Sequence, residues 1–183
     1  MARAPADYVH ALRYRWLTPA YDLVVRTLVR ERAVKQALIQ QAGIEPGQLV
    51  VDLGCGTGTL AIAIKQQIPD TEVIGIDGDE QILEIACRKA QRARVDIRFE
   101  HALAQALPLP DGRADRVVST LFFHHLLSED KASVASEALR ILRSGGRLHV
   151  ADWGKAGNLL MRIAFLPVQI LDGFDRTTDN VRG

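Results

Sequence analysis

The sequence predicts an α/β fold built on a parallel sheet covered on both faces. Short apolar runs recur along the chain, and segments with helical spacing separate them. The runs are apolar throughout rather than alternating, as strands buried on both faces must be. Their order, β-α-β-α-β-loop-β-α-β, is that of crossover-connected parallel strands.

The elements follow in order. Residues 7–42 read as helix, broken near Thr18-Pro19, and Ile44-Glu45-Pro46-Gly47 is a turn. The first strand is 49–53; a helix over 59–67 stops before Pro69. The second strand, 72–76, is closed by Asp77. A helix over 79–92 buries Ile82, Leu83, Ala86 and Ala90, which recur at helical spacing. The third strand is 96–101, followed by the Pro-rich loop 107–112; the fourth is 116–121. Ser128 is a good cap for the next helix, with Glu129 and Asp130 in its first turn. Ala135, Ala138, Leu139 and Leu142 form its inner face, and it ends at Arg143 and Gly145-Gly146. The fifth strand is 147–152, and 156–172 reads as an apolar helix interrupted at Pro167.

The 183 residues suffice for a real core, and 48% apolar with 25% charged residues is ordinary for a soluble globular protein. A net charge of +1 and 5% aromatics argue against a nucleic-acid partner. Cys55 and Cys87 lack metal-ligand spacing and are too few for a disulfide framework, so a cytoplasmic location and no metal are expected. The N-terminus has no apolar signal core, and no apolar run is long enough to span a bilayer.

The most informative stretch is Val50-Val51-Asp52-Leu53-Gly54-Cys55-Gly56-Thr57-Gly58-Thr59-Leu60. An apolar strand runs into an acid, three alternating glycines and a helix start. Such glycines let a ligand touch the main chain without meeting a Cβ. The following helix aims its free N–H groups into the same gap. A carboxylate there would repel a phosphate but suits an ammonium group and a sulfonium centre. Asp77, about twenty residues further on, can take both hydroxyls of a ribose. A dinucleotide site uses the same device, so Asp77 alone does not separate the readings. The glycine pattern, Asp-x-Gly-x-Gly-x-Gly rather than Gly-x-Gly-x-x-Gly, favours the sulfonium nucleoside.

These residues resemble motif I of the class I S-adenosylmethionine-dependent methyltransferases, and the resemblance covers about 44–152. It implies a Rossmann-like three-layer sandwich with strand order 3-2-1-4-5 and S-adenosyl-L-methionine as cofactor. It places Gly54, Gly56 and Gly58 against the methionine part and the ribose, and Asp52 beneath the methionine amino group. Asp77 would hold the ribose, the backbone of Ala104 would meet the adenine edge, and Ser119 and Thr120 would border the methionine moiety. Two positions depart from the family. Leu103 stands where an acid commonly accepts from the adenine amino group, and Gly78 where a bulky apolar residue often packs on adenine. Gln105 and Ile82 are the candidate substitutes.

His124 and His125 follow the fourth strand and are the candidate catalytic residues, able to orient or deprotonate an acceptor. A role as corner residues of the fold is the alternative. A paired-histidine metal site is not expected, since adjacent side chains point apart and no third ligand is evident. Asp152 either bounds the acceptor pocket or caps a helix. Tyr21-Asp22 is similar to the Tyr-Asp of quinone-biosynthesis and phospholipid methyltransferases, which makes 1–43 a helical lid and Tyr21 a cofactor contact. The basic residues Arg13, Arg15, Arg26, Arg30, Arg32 and Lys35 either attract an anionic acceptor or lipid headgroups, or form a solvated helix face.

Residues 44–183 form the core domain, short at its C-terminus. Strands six and seven of the family are expected to be missing or incomplete, either by truncation or in a reduced sheet, which leaves the fifth strand an edge. The apolar 156–172 segment is then expected to meet a second copy or a partner. The resulting expectation is methyl transfer to a small-molecule acceptor. The alternatives are a protein that binds S-adenosylmethionine without turnover and, less favoured, a nicotinamide oxidoreductase.

Overall fold

The computed structural model describes residues 31–152. The chain runs α1 (Glu31–Ala42), β1 (Leu49–Leu53), α2 (Thr59–Gln67), β2 (Glu72–Asp77), α3 (Glu80–Ala93), β3 (Arg98–His101), β4 (Ala114–Thr120), a 3-10 turn (Phe123–His125), α4 (Ser128–Ile141) and β5 (Leu142–Ala151). All neighbouring strands are parallel, in order β3-β2-β1-β4-β5. This is the expected Rossmann-like sheet. The lid with Tyr21, the 156–172 helix and its dimer contact, and any sixth or seventh strand fall outside the described residues.

The central strands β1, β2 and β4 are largely apolar because both faces are covered, whereas the edge strands β3 and β5 are only partly buried. Leu49, Val51 and Leu53 of β1 point to one face, where Ile74, Ile76 and Val117 meet Val134, Ala138 and Ile141 of α4. Val50, Val73 and Val118 point to the other, against Leu38 and Ile39 of α1 and Leu60 and Ile64 of α2. Each fully buried Leu, Ile or Val contributes about 1.5–3 kcal/mol by leaving water. On α3, Leu83, Ala86 and Ala90 are buried as the spacing predicts, and Ile82 is half-buried. Asp79 caps that helix by accepting from the Gln81 and Ile82 N–H groups.

Helix α4 departs from expectation at three points. Ser128 is its first helical residue rather than its cap: the Leu127 carbonyl already accepts from Asp130 and Lys131, which closes the first turn one residue earlier. Its buried stripe is Val134, Ala138 and Ile141, and Leu139 is 62% exposed. The i, i+4, i+7 set carries a Val and an Ile, and it wins over the stripe through Leu139. The helix also stops at Ile141. Leu142 is already extended and pairs with Ala114, so residues 143–146 bulge out of β5 instead of capping α4. Within that bulge Gly145 takes φ +77, and Arg143 binds Asp115 at 2.5 Å.

The Pro-rich loop between β3 and β4 is clamped to α4 by Arg140. Its guanidinium donates to the carbonyls of Leu107 and Leu109 and to Asp111, and its Nε and Nη2 together meet the two oxygens of Glu137. Glu137 in turn accepts from the Leu107 N–H at 2.9 Å. Arg140 first, and that N–H second, hold the Glu137 carboxyl down at about 2. The sequence reading missed this clamp, because the loop atoms it holds lie about 30 residues from Arg140 in sequence.

Candidate active site

The connections reverse direction on either side of β1, which opens a crevice at the carboxyl ends of β1 and β4. Asp52, Asp77 and Thr120 all sit at that edge, on β1, β2 and β4. The glycine loop lies across it, and the Gly54 and Cys55 N–H groups donate to the Ile76 carbonyl.

The three glycines, alike in the sequence pattern, have different surroundings. All have positive φ. A Cβ on Gly54 would lie 2.3 Å from the Phe122 ring, and one on Gly58 would lie 2.9 Å from Phe99 and 3.1 Å from Ala86. A Cβ on Gly56 would meet nothing within 4 Å. Gly54 and Gly58 are therefore packing positions, and Gly56 faces open space. Two substitutions separate these roles. Gly54→Ala combines left-handed strain with overpacking and is expected to cost about 2–4 kcal/mol in urea unfolding. Gly56→Ala is expected to cost only about 1–2 kcal/mol, yet to weaken ligand binding more than Gly54→Ala weakens it in the folded fraction.

Asp52 is 1% exposed. Its Oδ2 accepts from the Ala61 N–H of α2 at 3.1 Å, while Oδ1 is buried without a partner. Burial pushes its carboxyl up to about 7, against the pull of Lys35 and the Ala61 N–H. An unpaired buried carboxylate oxygen is costly unless a donor arrives. Lys35 of α1 donates to the Thr59 hydroxyl at the start of α2. Asp77 accepts from Gly56 at 2.8 Å through Oδ2 and from Asp79 at 3.0 Å through Oδ1. Burial holds its carboxyl above the usual range.

The remaining predicted positions are placed as follows. The Gly78 carbonyl bonds the His101 ring at 3.0 Å. Leu103 is half-buried and its carbonyl accepts from Ala106. Ala104 is buried in the core, and half-buried Thr120 pairs with Ala151. Ser119 does not turn toward the crevice: its hydroxyl donates to the Leu53 carbonyl at 2.8 Å inside the sheet. Cys55 is buried, and burial drives its thiol well above the ordinary range, so it is inert.

Beyond β4 the backbone is strained. Leu121 takes φ +53, unusual for a bulky L residue, and donates its N–H to the Ala151 carbonyl. The 3-10 turn then carries both histidines. His124 is 4% exposed and its Nδ1 lies 2.6 Å from Asp152 Oδ1. The other oxygen of Asp152 accepts the His124 backbone N–H at 3.1 Å. Asp152 thus caps the histidine turn; whatever follows it lies outside the described residues. The rings of His124 and His125 are 3.9 Å apart and tilted by 41°. Adjacent side chains point apart in a strand, but the tight turn brings these two together. Among the described residues no group of three or more His, Cys, Asp or Glu side chains is placed to hold a metal. No helix among them is long and apolar enough to cross a membrane.

A five-stranded parallel sheet with an acid-flanked glycine loop at its switch point defines a nucleoside-binding α/β domain. Comparison with known families narrows the class. The methyltransferase domain family matches residues 50–146, more than half of the chain. The chain belongs to this family, the class I S-adenosylmethionine-dependent methyltransferases. Within it, the chain is related to the ubiquinone and menaquinone C-methyltransferases. It is 38% identical over 144 residues to the demethylmenaquinone methyltransferase of Thermus thermophilus, covering 75% of this chain and 62% of that protein. It is 30% identical over 166 residues to the ubiquinone/menaquinone biosynthesis C-methyltransferase UbiE of Shewanella halifaxensis, covering 88% and 65%. The chain thus spans less than two thirds of either relative. Among solved structures, the YcgJ protein of Bacillus subtilis superposes with a TM-score of 0.65 at 25% identity, over 76% of this chain and 58% of that one.

Proposed function

We propose that this chain carries out methyl transfer from S-adenosylmethionine to a small-molecule acceptor with an ionisable hydroxyl, of the quinol or phenol type. The donor, when bound, supplies a methyl group already activated on a sulfonium. The chain's task is then to hold donor and acceptor in line, exclude water and manage one proton.

For the donor, the orphaned Asp52 Oδ1 fits an ammonium group. Each Asp77 oxygen accepts one backbone N–H and keeps capacity for a ribose hydroxyl. Gly56 leaves its ligand side open, with Gly54 and Gly58 shaping the loop around it. Gly78, Leu103 and the backbone of Ala104 border the adenine end in this reading, and Thr120 the methionine end.

The observation that carries the acceptor class is the His124–Asp152 pair. Asp152 fixes the ring by its Nδ1, and Nε2 is the atom that takes the acceptor's proton. An acceptor hydroxyl that loses its proton pushes electron density onto oxygen or the ring carbon beside it, the atom to be methylated. His125 lies against His124 and positions it. The names of the two relatives point to quinone precursors, which are hydroxylated rings.

The test is transfer of labelled methyl from S-adenosylmethionine to a panel of 1,4-naphthoquinols, simple phenols and primary amines. Label is expected on a quinol or phenol. Labelling of amines alone would contradict the acceptor class. Tight donor binding with no transfer to any acceptor would favour binding without turnover, the reading suggested by Leu103 in place of an acid.

A further inference from the structure

We propose that Arg116, Arg147 and His149 form an oxyanion site for a phosphate group, on the α1 side of the β4–β5 pair and apart from the crevice. The strand register brings the three to one face. Arg116 pairs with Arg147, and Val118 with His149. Partners across parallel strands share a face, as do residues two apart on one strand. Val118 belongs to the core against α1 and α2, so all three side chains stand on that side. Arg116 accordingly reaches the Ala42 and Gly43 carbonyls at the end of α1. Neighbouring strands lie about 4.8 Å apart and alternate residues about 7 Å apart, so the three side chains start within reach of one tetrahedral anion.

Each member of this row lacks something an oxyanion supplies. His149 Nε2 is, with Asp52 Oδ1, one of two buried side-chain polar atoms without a hydrogen-bond partner among the described residues. Such an atom is costly until a partner arrives. Asp52 does not serve it, because Val118 lies between the two in the register. Arg116 and Arg147 stand directly opposite on neighbouring strands, where like charges repel. The donors of Arg116 go to main-chain carbonyls, which leave its charge uncompensated. Arg147 is exposed and meets no acid among the described residues, whereas Arg143 on the same strand is paired with Asp115. Burial first, and the fields of both arginines second, hold the His149 ring below its ordinary range, so both guanidinium groups act on that ring. A phosphate oxygen accepts from Nε2, and the remaining oxygens match the fork of a guanidinium. The carbonyl end of α1 would repel an anion, but Arg116 already covers it. Exposed Arg147 marks the side from which the anion arrives.

The probe is inorganic phosphate, titrated into the full chain at low ionic strength and followed by the NMR signals of the histidine rings. The His149 ring is identified from the spectrum of His149→Phe or, if that variant fails to fold, by sequential assignment. A saturable shift of the His149 signals is expected, with a Kd of about 1–10 mM. Arg147→Gln is expected to raise that Kd about tenfold, the loss of one charge-assisted contact, and its exposed position lets the fold survive. Arg113→Gln, which removes an exposed arginine paired with Glu72, is expected to stay within about twofold of wild type. A second arm compares vesicles of phosphatidic acid with vesicles of phosphatidylcholine. Flotation with phosphatidic acid alone, lost in Arg147→Gln, would make the phosphate a lipid headgroup; no flotation beside a saturable phosphate shift would make it a soluble ligand. No saturable shift at His149, or equal weakening by Arg147→Gln and Arg113→Gln, would overturn the proposal.

Discussion

Asp77→Ala is expected to weaken binding of S-adenosylhomocysteine by a hundredfold or more, read by calorimetry. Two losses combine. One is the bidentate acceptor for the ribose hydroxyls; hydrogen bonds to a charged group contribute about 1.5–3 kcal/mol each. The other is internal. Asp77 also holds the Gly56 N–H at 2.8 Å, and without it the one of the three loop glycines that faces open space is no longer fixed. Asp77→Asn keeps an acceptor oxygen and its shape, and is expected to fall between wild type and Ala. Unchanged affinity in Asp77→Ala would remove this residue from the site.

The second large effect is expected at the other end of the crevice. His124→Ala should lower kcat by about a hundredfold to ten-thousandfold, the range for losing a positioned proton acceptor. Donor affinity should stay within about twofold, because the proposed role of the imidazole concerns the acceptor alone. Asp152→Asn should also lower kcat. It still offers one acceptor oxygen to the turn but removes the negative charge that stabilises the ring as it takes a proton in the transition state, so kcat should fall while donor affinity holds. A merely structural role for the pair would instead give a lower unfolding temperature with kcat of the folded fraction unchanged.

Asp52 makes donor binding pH-dependent. Burial raises its carboxyl to about 7 in the ligand-free chain. The folded state therefore favours the protonated acid, and the associated stability is present below about pH 4 and lost as pH rises through 7. An α-ammonium at Oδ1 favours the carboxylate, so binding releases a proton. Donor affinity should rise with pH up to about 7 and then level off. Calorimetry at pH 6.5 in two buffers of different ionisation enthalpy measures that release directly; zero release would place the ammonium elsewhere.

The central strands were legible in the sequence because they are buried on both faces, which leaves short, nearly unbroken apolar runs that few other structures produce. Asp52, the glycines and Asp77 were legible because a turn that admits a nucleoside restricts residue types at fixed spacing. Helix α4 was read less well. Its stripe was assigned through Leu139 when Val134 and Ile141 offered a better face, and the glycines assigned to its cap form a bulge in β5. The different surroundings of Gly54, Gly56 and Gly58 could not be read, because they depend on Phe122 and Phe99 arriving from distant segments. The same holds for the His124–Asp152 pair. An acid at the end of the fifth strand was visible, but its partner is fixed only by the parallel pairing of β4 with β5 and the strained turn at Leu121.

The central claim is that the acid-flanked glycine loop holds a sulfur-bearing nucleoside and no pyrophosphate. The most direct measurement is a calorimetric titration of the chain at pH 7.5 with S-adenosylhomocysteine and, separately, with NAD. The predicted result is one S-adenosylhomocysteine bound per chain and no heat of binding from NAD. Saturable NAD binding with none for S-adenosylhomocysteine would contradict it.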